Sequence, residues 1–357
     1  MGAKRGVTIL ELMVVTAITA VLMLAMAQVM VITSRQRHLQ RQAIDRSSNL
    51  FMGETLMERT VENAGYHVPS GRFSFRLLNN LANGQTFGGI PVRDCQAPDA
   101  GEICIVPGTD GFEVSEGHPG NMGEVRVAVT DGGSINVILG TVGPLPIGDL
   151  SNRTFVFGNK AGQTCVATGS LVSATDNSVL NVQMLDRFRT PVATNFYSTG
   201  SAPPTNYDCP AAGMWVGVEE RRTRYVVAST RQGNVSLYSQ DAFSSDGGMQ
   251  ELAPSIDNMQ IVPLAQWDGG TGCSQGLCQC NVTGNTCQLT DTTADYELAE
   301  QVVGIEVRMS ARGQGGGAEV LAAPLRLADE PPSPADRVPR RSTNQTIFFR
   351  NLAFGGK

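Results

Sequence analysis

From Leu12 to Ile32 the chain runs for 21 residues without a charge, relieved only by Thr16, Thr19 and Gln28. As a helix this run reaches about 32 Å, enough to cross a hydrocarbon core of roughly 30 Å. A carboxylate, Glu11, stands at its head. A charge beside a membrane segment costs free energy, so Glu11 is a functional candidate that needs a partner. After Ile32 the pattern changes. Ser34 to Asn63 is polar, with Leu39, Ile44, Ser47, Leu50, Phe51, Met57 and Val61 near helical periods. That spacing predicts an amphipathic continuation of the same helix, one stripe on a globular domain and Arg46, Glu54 and Arg59 outward. Gly53 and Ser47-Ser48 are points where it could bend, and Gly65 followed by Pro69 is the stop signal.

Beyond Val68 the periodicity is that of strands. Val125 to Val129 alternates and is followed, across Asp131-Gly132-Gly133-Ser134, by Ile135 to Leu139, which predicts a hairpin. Tyr225 to Ser229 and Val235 to Tyr238 flank Arg231-Gln232-Gly233-Asn234 and predict a second. Val303, Ile305, Val307 and Met309 share one face of a strand, with Gly304, Glu306 and Arg308 on the other. A last strand is expected over Thr346 to Leu352. Ala311 to Thr343, rich in Gly and Pro, reads as a long connection with a short extended piece near Val320 to Leu327. The fold class is therefore α+β. The first half of a long N-terminal helix is transmembrane, and the helix packs on a β-rich globular domain with large loop insertions.

Eight cysteines, Cys95, Cys104, Cys165, Cys209, Cys273, Cys278, Cys280 and Cys287, all lie beyond the apolar run. An even number in an exported domain reads as disulfides. The 273–287 cluster lacks the paired spacing of common zinc sites and has no histidine near it. Connectivity stays open; proximity suggests Cys95 with Cys104, Cys165 with Cys209, and two bridges inside 273–287. No metal and no cofactor are expected. Asp241, Asp246 and Asp268 sit in glycine-containing loops but lack the spacing of a calcium-binding helix–loop–helix. A formal net charge of −6 gives no electrostatic footprint for nucleic acid, so none is expected as a partner. The chain shows no nucleophile elbow, phosphate loop or metalloprotease helix, which excludes the common enzyme classes recognisable by motif.

Lys4-Arg5-Gly6 followed by Val7-Thr8-Ile9-Leu10-Glu11-Leu12-Met13-Val14 resembles the class III leader of type IV pilins and pseudopilins. The resemblance implies cleavage after Gly6 by a membrane peptidase, which also N-methylates Val7, and an assembly role for Glu11 at the fifth mature position. Val7 departs from the phenylalanine usual there. An ordinary secretory signal, with Ala25-Met26-Ala27 as its cleavage site, and a plain membrane anchor are the competing readings. The apolar run is long for the first, and Glu11 suits neither. Asn63-Ala64-Gly65-Tyr66 resembles the helix end of PilW-type minor pilins, and Thr346 to Asn351 after Arg340-Arg341 resembles the C-terminal end of PilW-type minor pilins and J-type pseudopilins.

The resemblance implies a leader over 1–6, a transmembrane and filament-core helix over 7–33, its amphipathic continuation over 34–66, and a pilin-like head over 67–357. That head is insert-rich over 70–300, with a long linker at 311–343. It further implies a minor pilin, an initiation or tip subunit of a type IV pilus. This would be a structural protein and a substrate of the prepilin peptidase, not an enzyme. Its partners would be other minor and major pilins, the peptidase and the inner-membrane assembly platform. It would reside in the bacterial inner membrane as a single-pass protein with a periplasmic head, then in the pilus at the cell surface. The alternatives are a J-type pseudopilin of type II secretion and an adhesin module borne on a pilus.

Overall fold

The computed structural model describes residues 8–65, 75–78, 81–87, 89–93, 103–131, 134–142, 154–159, 166–176, 179–185, 214–230, 234–242, 248–266, 277–279, 302–312 and 340–349. One helix, α1 (Ile9–Glu62), opens the chain. Residue contacts divide the molecule into two units, Met1–Ser48 and Asn49–Lys357.

The first unit holds most of α1. Neither Gly nor Pro occurs from Val7 to Met52, so nothing interrupts the hydrogen-bond ladder. Its threonines conceal their own polarity: Thr16 Oγ1 donates to the Met13 carbonyl at 2.9 Å, and Thr19 and Thr33 donate to Val15 and Val29, each at 2.7 Å. In an apolar medium such back-bonding leaves no hydroxyl donor unsatisfied. The large apolar side chains from Ile9 to Ile32 are exposed, Ile9 by 81% and Met30 by 76%.

In the second unit α1 buries Leu50, Gly53, Met57 and Val61, a stripe at spacings of three and four. Leu39, Ile44 and Phe51, expected on that stripe, are instead exposed, Phe51 by 69%. The buried row runs through Gly53, where the absent side chain allows close approach. A Cβ there would lie 3.2 Å from Leu237 Cδ2 and 3.5 Å from Ala253 Cβ. The helix stops as expected. Gly65 takes the left-handed φ of 74°, and its amide donates to the Ser115 carbonyl at 3.0 Å.

The strands of the second unit are β1 (Phe75–Leu78), β2 (Thr86–Phe87), β3 (Ile90–Pro91), β4 (Ile103–Ile105), β5 (Gly111–Asp131), β6 (Ser134–Val142), β7 (Thr154–Asn159) and β8 (Val166–Asp176). They continue as β9 (Val179–Leu185), β10 (Met214–Thr230), β11 (Val235–Asp241), β12 (Met249–Pro254), β13 (Ile256–Gln266), β14 (Leu277–Gln279), β15 (Val302–Arg312) and β16 (Arg340–Phe348). Both predicted hairpins form, β5 with β6 and β10 with β11. β5 and β10 are long enough to serve two assemblies. The N-terminal part of β5 and the C-terminal part of β10 pair with each other and with β1, β4 and β11, and β12 joins on the far side of β11. Their other halves join a closed antiparallel circuit, β5–β6–β9–β8–β7–β10 and back to β5. Closure leaves those six strands without a free edge within the circuit. Val137, Phe155, Phe157, Leu180 and Val216 are fully buried there.

A second sheet has the order β14–β13–β15–β16. The chain passes to it from the first across Ser255, at a φ of 64°, where the Arg312 amide donates to the Ser255 carbonyl at 2.7 Å. One core joins Leu50, Met57 and Val61 of α1 to Phe112, Tyr225 and Leu237 of the first sheet and Ile305, Val307 and Met309 of the second. Phe112 and Tyr225 stack at 4.8 Å. The opposite face of the first sheet, through Val226, Ala228 and Tyr238, packs on Leu81, Phe87, Val92 and Ile105.

Two expectations at the C-terminal end are corrected. The last strand begins at Arg340 and not at Thr346, because Arg312 to Gly304 pair in register with Arg340 to Phe348. The connection expected over 311–343 is correspondingly shorter at both ends, and residues 313–339, with the extended piece near 320–327, lie outside the described residues. Arg340 is held by Asp257 at 2.8 Å, and Ser310 donates to the same carboxylate. The face of β15 opposite the helix is also covered: Glu306 is buried and paired with Arg308 at 2.7 Å.

Candidate functional site

Among the residues singled out by the sequence, Glu11 lies at the start of α1. Thr8 precedes the first helical turn and Glu11 lies in it. The first amides of any helix lack intrahelical acceptors, and a carboxylate three residues past the cap can reach back to them. It does so here. The Thr8 amide donates to Glu11 Oε2 at 2.9 Å, the Thr8 hydroxyl to the same oxygen at 3.2 Å, and the Glu11 amide to Thr8 Oγ1 at 3.3 Å. This is a reciprocal capping box. The negative carboxylate also faces the positive end of the helix dipole. The partner that Glu11 requires is therefore supplied in part within its own chain. The sequence carries this signal as Thr8-x-x-Glu11, overshadowed by the offset of Glu11 from Gly6. Gly6 and Val7 lie outside the described residues.

Beyond the cap α1 presents an apolar surface. Among the described residues it is the one helix long and apolar enough to cross a membrane. Past Ile32 the chemistry turns basic: Arg35, Arg37, His38 and Arg41 are all exposed, and His38 Nε2 lies 3.0 Å from Gln42 Nε2. A shallow groove runs along one side of this helix from Leu22 to Arg41.

Of the eight cysteines, Cys104 is fully buried in β4, opposite Ser229 of β10, and is disulfide-bonded. Cys278 falls in β14, where its backbone pairs with Ala265. Cys95, Cys165, Cys209, Cys273, Cys280 and Cys287 lie outside the described residues, so the suggested pairings do too. Asp241 closes β11 opposite Thr223, while Asp246 and Asp268 are again outside.

The polar groups inside the β-rich unit tie strands together. Arg224 of β10 pairs with Glu113 of β5, donates to Gln240 of β11 at 3.2 Å, and lies over the Phe87 ring at 5.8 Å. Arg222 donates to Thr154 Oγ1 at 2.8 Å, and the Ile261 amide donates to the Asp110 carboxylate at 2.7 Å. Burial raises the Tyr225 hydroxyl above its ordinary pKa, opposed by a hydrogen bond with Thr60. No family model, curated protein or solved structure matches the chain.

Proposed function

We propose that the protein is a minor pilin, stored in the bacterial inner membrane through α1 and assembled into the tip or initiation complex of a type IV pilus. The observation that carries this reading is the N-terminal constellation. Gly6 follows two basic residues, Glu11 lies five positions on, and the helix opening there bears 21 uncharged residues on an exposed surface. A peptidase cutting beside Gly6 meets no side chain on that residue. Cleavage leaves an amine at Val7, one residue before the cap that holds Glu11.

In this reading α1 is substrate for the prepilin peptidase, then membrane anchor, then core element among the helices of other minor and major pilins. The protein itself is not an enzyme. The β-rich unit lies in the periplasm and later at the pilus surface, with the remaining cysteines disulfide-bonded. One observation favours the adhesin reading in addition: the closed circuit β5–β6–β9–β8–β7–β10 is a built element beyond the sheets that pack on the helix. The J-type pseudopilin shares the same N-terminal logic and is distinguished by phenotype, loss of protein export in place of loss of pili.

The first test is chemical. Mass spectrometry of the mature terminus should find N-methylvaline derived from Val7. A chain beginning at Gln28 would establish an ordinary signal peptide and remove the filament reading.

A further inference from the structure

The basic residues beyond the apolar run have no role in the capping box or in the β-rich core. From Leu12 to Ile44 there is no Asp or Glu, while Arg35, Arg37 and Arg41 are exposed. Two of the three line the same groove as apolar residues of the span. Leu22, Met26, Val29, Thr33, Arg37 and Arg41 succeed each other at spacings of three and four, forming one continuous stripe. The stripe is apolar at one end and doubly cationic at the other.

We propose that this stripe binds one anionic phospholipid of the leaflet at the arginine end of the span. The acyl chain lies along Leu22, Met26, Val29 and Thr33, and the headgroup phosphate sits against Arg37 and Arg41. The proposal rests on the membrane reading of α1.

The dimensions fit. Leu22 to Thr33 rises about 16 Å, close to half of a hydrocarbon core of roughly 30 Å. Arg37 then lies about 6 Å further along the axis, within the headgroup layer. Arg41 lies about 12 Å beyond Thr33, but helical side chains lean toward the N-terminus, which carries its guanidinium back toward the membrane. Two guanidiniums on one side suit a phosphate by charge and by hydrogen-bond geometry; the nearest acid along the stripe, Asp45, lies one turn beyond Arg41, on the side away from the span. Thr33 adds no competing donor, since its hydroxyl is spent on Val29. Arg35 is set apart: two residues before Arg37, it projects about 200° away round the axis.

The test uses the full chain reconstituted in phosphatidylcholine vesicles containing a minority of phosphatidylglycerol. Flotation reports membrane insertion, and mass spectrometry of lipid retained after detergent extraction reports preference. The wild type should float and retain phosphatidylglycerol enriched about fivefold or more over its share of the vesicle. Arg37→Gln/Arg41→Gln should float equally and lose the enrichment; glutamine keeps the helix propensity. Arg35→Gln, which removes one charge off the stripe, should retain it.

Flotation without enrichment would overturn the lipid site while leaving the membrane reading intact, whereas failure to float would overturn that reading itself. Equal losses from Arg35→Gln and Arg37→Gln would replace the site with diffuse surface attraction. Displacement of the lipid by inorganic phosphate at the same arginines would identify a free-phosphate site instead. If the double variant lost self-association while the retained lipid stayed enriched, the arginines would belong to an interface between copies of this chain.

Discussion

Thr8 and Glu11 show how little covalent structure is needed to manage a charge at the edge of an apolar helix. The cap contributes three hydrogen bonds within four residues, and it is local enough to form before any partner is present. Thr8→Ala removes the hydroxyl and should weaken the helix start by about 1 kcal/mol. The expected observation is faster exchange of the Glu11 amide, which donates to Thr8 Oγ1, with exchange beyond Val15 unchanged; an unaltered Glu11 amide would show that the cap contributes nothing. At the other end of the residue scale is Tyr225, buried between Phe112 and Thr60. Desolvation raises its pKa above 10.0, so the folded state holds the phenolic proton more tightly than the unfolded chain. The resulting stability is fully present below the unfolded pKa and is lost as pH rises through the folded one. Tyr238 is raised too, by desolvation first and then by Glu251. Unfolding midpoints should therefore fall above about pH 10, and Tyr225→Phe should shrink that fall. An unchanged alkaline slope in the phenylalanine variant would remove Tyr225 as its source.

At the scale of elements, Gly53 and Gly304 mark two kinds of close approach, one to side chains and one to backbone. Gly304 of β15 lies against β16, and a Cβ there would come within 2.5 Å of the Ile347 carbonyl oxygen and 3.2 Å of the Phe348 Cα. Both obstacles are backbone, which cannot rotate aside. Gly304→Ala should cost about 1–3 kcal/mol, as overpacking does, read as a lowered denaturant midpoint. Gly53→Ala meets side-chain atoms alone, most tightly the end of Leu237 at 3.2 Å, and gains helix propensity, so it should be much milder. Equal effects of the two would show that backbone and side-chain obstruction do not differ here. These contacts also explain what is legible in the sequence. Hairpins closed by short polar turns, the strand at Val303 to Met309 and the helix stop at Gly65 are local, and periodicity reveals them. The helix stripe is only partly legible, because Leu39, Ile44 and Phe51 lie near helical periods and yet are exposed. Gly53 carries no hydrophobic signal, although it lies at the centre of the packed row. The closed circuit of strands depends on pairings between β5 and β10, about a hundred residues apart, which no local pattern encodes. The early start of β16 is hidden because Arg340 to Gln345 are polar; partnership with β15 and the Asp257–Arg340 pair, not hydrophobicity, makes them a strand.

For the molecule as a whole, the proposed pilin function turns on whether Glu11 serves its own helix or a neighbouring subunit. Cleavage after Gly6 would create a positive amine at Val7 in an apolar setting, and a charge there requires compensation. The carboxylate of Glu11, in its own chain or across to the next subunit, can supply it. Pairing across subunits would also fix axial register, since one offset brings the two charges together. The capping box complicates the usual alanine test, because Glu11→Ala removes the cap and the charge at once. Glu11→Gln separates them: glutamine can still reach back to the Thr8 amide, as capping boxes accept either residue, but it carries no charge. If charge pairing governs assembly, both variants are cleaved after Gly6 and both fail to enter pili. If capping governs it, Glu11→Gln assembles almost normally and Glu11→Ala does not. We expect the first outcome, with Thr8→Ala assembling because it retains the carboxylate. The measurement is incorporation into sheared pili at matched protein levels, in a strain lacking the wild-type copy. Normal incorporation of Glu11→Gln would return Glu11 to a purely intrahelical role.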